Sequence, residues 1–281
     1  MKSPLVGFRV DVEFIWGFQA KVAGYSKTSP SFYYPPPTTI LGAVAESLAK
    51  ENSMGEKKGK EIIPRLAQSL LALGIRPLNC VPIRFSDINK LIAIKLTGGV
   101  LYPDVKDLFG SFDAPATGKT LLTTLDKQPP TLRIFLVFST KEIKIDERKE
   151  ITLDSNVLWN IHRIGTKESI VSVVDVDEFS PEKSGGRAET QYSFPLIDGV
   201  KPLDYIQPKW VSETLINPFS VKSYDENDNP VKNYLTGEKT VRYFLPIMQD
   251  TQNLPSYAVE LLNNMCFYEK DGERVVGICR Q

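Results

Sequence analysis

The chain has 281 residues, 42% of them apolar and 24% charged, with 34 Lys and Arg balancing 34 Asp and Glu. At about 150 residues per domain this makes one domain or two, and about 75% of the unfolded chain's surface can be buried at this size, enough for a core without metal or disulfide staples. Zero net charge argues against a protein that coats nucleic acid nonspecifically, apolar runs such as Ile134–Phe138 are too short to span a bilayer, and Pro4, Arg9, Asp11 and Glu13 break any signal-peptide core.

Phe8, Val10, Val12, Phe14, Trp16 and Phe18 alternate with Arg9, Asp11, Glu13 and Gly17, which predicts one long strand with an apolar and a polar face. A Gly-, Ser-, Tyr- and Pro-rich loop follows from Lys21 to Pro37. Pro37 and the Thr38–Thr39 pair open a helix, with Thr38 or Thr39 placed to cap it and Ile40, Leu41, Val44, Ala45, Leu48 and Ala49 at helical spacing. The polar run Lys50–Lys60 reads as a solvated turn. A second helix is expected from Pro64 to Gly74, striped by Leu66, Ala67, Leu70, Leu71 and Leu73. Strands are expected at Val81–Phe85 and Leu91–Leu96.

Residues 98–130 differ: Gly98, Gly99, Gly110, Gly118, Pro103, Pro115, Pro129 and Pro130 punctuate a stretch with little periodicity. Long structureless loops are uncommon in compact domains and are often functional, so this reads as an extended, arm-like excursion and not as a domain linker. Leu132–Phe138 returns to an apolar strand. The second half, 140–281, reads as mostly β, with strands at Ser169–Val176 and Thr240–Met248. A short helix is expected at Pro255–Met265 and a hairpin over Phe267–Ile278 turning at Asp271–Gly272. There is no internal repeat. The element order predicts an α+β fold on a ferredoxin-like sheet with strand-rich additions.

Three cysteines (Cys80, Cys266, Cys279) without CxxC spacing, and a single histidine (His162), fit neither a disulfide framework nor a zinc site. They imply a reducing, cytoplasmic setting with no metal and no cofactor. The neutral total hides an asymmetry: residues 1–140 carry 17 Lys and Arg against 11 Asp and Glu, and residues 141–281 carry 17 against 23. This is either chance or a basic groove in the first half and an acidic surface in the second.

Ala114–Thr120 (APATGKT) imitates a phosphate loop, but Asp113 stands where the first glycine belongs, and no strand-to-helix context surrounds it. No GxSxG or strand-linked GxGxxG is present. His162 as a general base lacks a companion nucleophile, and a lone histidine beside Trp159 and Arg163 is more often structural.

Two blocks carry more information. In Ser31–Ala45 (SFYYPPPTTILGAVA), prolines stiffen the approach to a helix whose first N–H groups can receive a phosphate, and Phe32, Tyr33 and Tyr34 can stack on bases. The alternative is a buried loop whose aromatics fill the core. In Trp159–Ser169 (WNIHRIGTKES), Arg163 and Lys167 flank Gly165, so backbone and cations can approach a phosphate together. The alternative there is a tight turn with two solvated cations and a salt bridge to Glu168.

Together the long first strand, the Pro-Thr-Thr turn into a Leu-Gly-Ala helix and the Arg-Ile-Gly-x-Lys-Glu-Ser turn resemble the archaeal, subtype A branch of the Cas-five family, CRISPR-associated subunits of type I interference (Cascade) complexes in antiviral defence. The resemblance spans the chain and is strongest over residues 5–50 and 157–176. It implies a single RAMP-type domain over 1–281, with a ferredoxin-like (RRM-type) core, a protruding thumb at 98–130 and a β-rich C-terminal part over 140–281. It implies a noncatalytic role: capping the 5′ handle of the CRISPR guide RNA, contacting the first Cas-seven backbone subunit and docking the large subunit, with no membrane partner. Tyr33, Tyr34, Thr38 and Thr39 match the turn beside the RNA, and Arg163 and Lys167 match the later basic turn. Trp16, Lys21, Tyr25 and Lys27 join the candidate set through their place at the end of the first strand. One branch, subtype C, cuts precursor RNA itself; here His162 is the only histidine to serve such chemistry, and a purely protein-binding adaptor is the remaining alternative.

Overall fold

The computed structural model describes residues 5–20, 30–87, 95–97, 100–102, 117–124, 126–146, 149–203, 209–220, 236–247 and 255–279. The alternating first segment is two strands, not one. β1 (Val6–Phe14) ends at a bend, and the two-residue β2 (Gly17–Phe18) belongs to a different sheet. Gly17 permits the crossing: its φ is +143°, and a Cβ there would lie 2.0 Å from the Thr120 carbonyl oxygen.

α1 (Pro37–Glu51) carries Pro37 at its first position as predicted, but its N-cap is Pro36, which offers no side-chain acceptor. Thr38 and Thr39 lie within the first turn, where the Thr39 and Ile40 N–H groups donate to the Pro36 carbonyl. α2 (Glu56–Ser69) contains Pro64 instead of starting at it, so part of the run expected as a solvated turn is helical. The leucines assigned to that helix's second half form β3 (Leu70–Pro77), buried at every position. A strand covered on both faces shows a continuous apolar run, which periodicity does not separate from a buried helix.

β4 (Cys80–Asp87) leaves the core as one side of an arm. The short pair β5 (Lys95–Thr97) and β6 (Val100–Tyr102) follows, and β7 (Thr117–Thr124) returns, paired antiparallel with β4 from Cys80↔Thr124 to Asp87↔Thr117. Ordered ladder therefore begins at Cys80, ahead of the stretch read as the excursion, and Thr117–Thr124 within that stretch is regular strand. Gly118, Lys119 and Thr120 of the phosphate-loop imitation sit inside β7, so no strand-to-helix turn exists there. Leu91–Ile94 lie outside the described residues.

β8 (Thr131–Phe138) re-enters the core, and β9 (Glu142–Lys144) pairs with β10 (Glu150–Thr152). α3 (Ser155–Trp159) is capped by Asp154, whose Oδ1 accepts from the Val157 N–H at 3.1 Å. β11 (Val171–Phe179) follows, then β12 (Glu182–Ser184), β13 (Gly186–Thr190), β14 (Phe194–Leu196), β15 (Val200–Pro202), β16 (Trp210–Ile216) and β17 (Thr240–Pro246). β18 (Tyr257–Leu261) replaces the helix expected at Pro255–Met265: Tyr257, Val259 and Leu261 are buried and Ala258 and Glu260 are less so, a period of two. β19 (Met265–Lys270) and β20 (Glu273–Ile278) form the predicted hairpin, with Asp271 at φ 51° and Gly272 at φ 80°, the left-handed pair a tight turn requires.

The chain is thus α+β, rich in strands and poor in helices. Its largest sheet runs β11-β1-β8-β3-β20-β19-β12, with every neighbouring pair antiparallel. α1 and α2 connect β1 to β3, and α3 lies between β8 and β11. Phe8, Val10, Val12 and Phe14 bury against α1 and α2. The other, polar face of β1 is covered. Asp11 is buried and accepts two hydrogen bonds from Arg133 at 2.6 Å each, and Arg9, Arg76 and Arg133 converge on Glu273.

Candidate nucleic-acid interface

The end of the first strand, the Pro-rich turn and the later basic turn are remote in sequence and adjoin in space. The Trp16 indole N–H donates to the Glu168 carbonyl at 2.9 Å. Gln19 N–H donates to Ser169 Oγ at 2.9 Å, and the Thr166 N–H donates to the Gln19 carbonyl at 3.1 Å. The turn depends on Gly165, whose φ is +124° and where a Cβ would stand 2.8 Å from both the Gln19 carbonyl and Ser169 Oγ. Thr120 joins the third segment: it pairs with Phe18 in β2, and its hydroxyl donates to the Phe32 carbonyl at 2.5 Å.

The predicted residues divide by environment. Tyr34 is fully buried and its hydroxyl donates to the Pro246 carbonyl at 2.8 Å, so its ring is closed to a base and serves packing. Phe32 is likewise buried. Tyr33 is half-buried and carries the Arg84 guanidinium 3.8 Å above its ring centroid. Thr38 and Thr39 are half-buried on the first turn of α1. Arg163 is fixed to α1 by Glu46 at 2.8 Å, on a different element from the Glu168 of the alternative turn reading; Lys50 binds the same carboxylate at 3.0 Å and lies 3.2 Å from His162 Nε2. Lys167 is exposed. Trp16 keeps its face beside Lys119, whose ammonium is 6.0 Å from the ring centroid. Lys21, Tyr25 and Lys27 lie outside the described residues.

Charge is set locally. Partial burial acts to raise the Glu46 carboxyl, but hydrogen bonds from Lys50 and Arg163 outweigh it and hold the group below the usual range, so it stays ionised and anchors both cations. Burial dominates at Glu213 on β16 and pushes it up to about 7, against the opposing pull of the Tyr33 N–H and Arg84.

Arg84, Lys119, Lys50 and Glu213 were not singled out by the sequence. Arg84 occupies an alternating strand pattern that announces only a surface position, and its link to Tyr33 exists because β4 folds over the 31–34 loop. The opposite side of the arm exposes Ile83, Phe85 and Leu121, with Ile83 directly across from Leu121. No helix among the described residues is long and apolar enough to cross a membrane.

No family model matches the chain. It is 28% identical to a Saccharolobus solfataricus protein described as CRISPR system aCascade subunit Cas5 1, over 95% of this chain and 98% of that one. It is 26% identical to the CRISPR-associated protein Cas5 3 of the same organism, with the same coverage of both. Among solved structures, a CRISPR protein from Archaeoglobus fulgidus is 42% identical, covers 98% of this chain and 100% of its own, and superposes with a TM-score of 0.72.

Proposed function

The chain belongs to the Cas5 family of CRISPR-associated proteins, and on that premise we propose that it is a noncatalytic Cascade subunit that holds the 5′ handle of the guide RNA. The observation that carries this reading is the convergence of Trp16, Tyr33 and the Arg163–Lys167 turn at the base of the β4–β7 arm. Sequence-tolerant binding of a single strand needs aromatic faces for bases and cations for phosphates, and both kinds meet there.

The strand order supports a ferredoxin-like core. Taking β1, β3, β8 and β11 as strands one to four, the sheet order is four-one-three-two, with helices after the first and third. The arm supports the thumb reading, and its exposed Ile83, Phe85 and Leu121 form an apolar face suited to a Cas-seven backbone subunit, with the large subunit docking elsewhere on the molecule. A cytoplasmic location follows from this role. The noncatalytic reading rests on the supply of general bases: His162 is the only histidine, and it stands at the surface beside Lys50.

The test incubates the chain, with and without its backbone partner, with end-labelled CRISPR repeat RNA in EDTA, reading retention and cleavage together. Retained, intact RNA is expected. Cut RNA overturns the noncatalytic assignment and makes His162→Ala the first variant to assay. No retention even with the partner leaves a protein-binding adaptor.

A further inference from the structure

We propose that Arg84 is a phosphate-binding residue for single-stranded RNA, held ready by Tyr33 and Glu213. The inference rests on the RNA-binding reading above. Three segments distant in sequence lock one guanidinium. Its Cζ lies 3.8 Å from the Tyr33 ring centroid, and its Nη1 donates to Glu213 Oε1 at 3.2 Å. Glu213 Oε2 accepts the Tyr33 backbone N–H at 3.0 Å, so the carboxylate ties guanidinium and aromatic ring into one unit.

The two ends of this unit differ in exposure. The Glu213 side chain is 9% exposed and the Arg84 side chain 39%. Among the described residues Nη1 is the one Arg84 guanidinium nitrogen with a protein acceptor, so the exposed side chain keeps donor capacity for an incoming anion. A planar fork fixed at one edge and stacked on a ring is matched to a tetrahedral oxyanion, since a phosphate accepts two parallel N–H bonds, and a pre-positioned side chain loses little rotamer entropy on binding. Tyr33 and Thr120, opposite Arg84 on β7, connect this fork to the segment bearing Trp16 and the basic turn. A phosphate at Arg84 therefore continues the path along which a strand would run. If Arg84 only tethers the arm, removing it changes stability and leaves RNA affinity alone.

The experiment measures Kd for end-labelled single-stranded RNA of repeat and of unrelated sequence across a KCl series, alongside thermal melting. Arg84→Ala should weaken both RNAs about tenfold or more and reduce the slope of log K against log salt by about 0.7, the contribution of one single-strand phosphate contact. Equal losses on both sequences mark a backbone contact. Arg84→Gln, which keeps a donor for Glu213, should show the same losses and serves where Arg84→Ala fails to fold. Arg84→Lys should keep the slope and lose part of the affinity. Unchanged Kd and slope in a folded Arg84→Gln, with the wild type binding, overturn the inference and leave the RNA-binding reading intact. A wild type that retains neither RNA even beside its backbone partner removes that reading and the inference with it.

Discussion

Replacing Glu273 by Gln tests the ion network on the covered face of the sheet. One carboxylate there receives Arg133 Nη1 at 3.0 Å, Arg9 Nη1 at 3.5 Å, the Tyr192 hydroxyl at 2.7 Å and a close contact from Arg76. The glutamine keeps the shape and removes the charge. Arg133 retains Asp11 and Arg9 retains Asp177 and Asp271. Among the described residues Arg76 retains only the neutral Gln191 and the Tyr192 ring, and it is 6% exposed. Breaking a buried pair costs about 3–5 kcal/mol because an uncompensated charge stays behind. With two of three arginines still paired, the lower end, about 3 kcal/mol, is expected, which lowers Tm by roughly 6–12 °C in a domain of this size. Burial works to raise the Glu273 carboxyl, but the Tyr192 hydrogen bond, Arg76 and Arg133 together hold it below its ordinary value. A lowered folded-state pKa stabilises the protein above the unfolded pKa, and that contribution is lost as pH falls through the folded value. The wild type should therefore lose its advantage over Glu273→Gln on acidification below about pH 4.5. Urea titrations at pH 7 and pH 3.5 read both effects. A difference under about 1 kcal/mol at pH 7, or one that persists undiminished in acid, would refute the reasoning.

Glu213 has the opposite sign: its carboxyl is raised to about 7, so ionising it costs stability progressively from the unfolded pKa up to pH 7 and constantly above. Glu213→Gln should therefore gain on the wild type by on the order of 3 kcal/mol between pH 4 and pH 8 in parallel denaturation curves, and a flat difference would sink the assignment. Tyr34→Phe removes the hydroxyl that donates to the buried Pro246 carbonyl and should cost about 1–3 kcal/mol by urea denaturation while leaving RNA affinity unchanged; a loss of affinity without loss of stability would restore Tyr34 as an RNA contact. Gly165→Ala forces a side chain at φ +124° against Gln19 and Ser169 and should lower stability by about 1–3 kcal/mol and weaken RNA retention by displacing Arg163 and Lys167. Unaltered melting and retention would show that the turn does not need glycine.

Elements whose signal is local were legible in the sequence. α1 is marked by Pro37 and helical spacing, the C-terminal hairpin by Asp271–Gly272, β8 by its apolar run and β17 by its β-branched and aromatic residues. The two strands expected as helix differ in kind: β3, buried on both faces, has no alternation to separate it from a buried helix, whereas β18 keeps a period of two that the short helix expected at Pro255–Met265 does not account for. Arg9 and Asp11 mark a polar face, and nothing local reveals that Glu273, over 260 residues away in the chain, closes the arginine network over it.

The candidate site divides along the same line. Residue chemistry and turn composition by themselves mark which segments are candidates for the proposed RNA interface: the Pro-rich block, the basic turn with its glycine, and the aromatic end of the first strand. Tertiary structure alone decided which side chains remain available, sending Tyr34 into the core, tying Arg163 to Glu46 and stacking Arg84 on Tyr33. Exposure and pairing depend on which distant element packs against a residue. Adjacent tyrosines, identical in composition and local pattern, therefore take opposite fates once β16, β17 and the arm close around them.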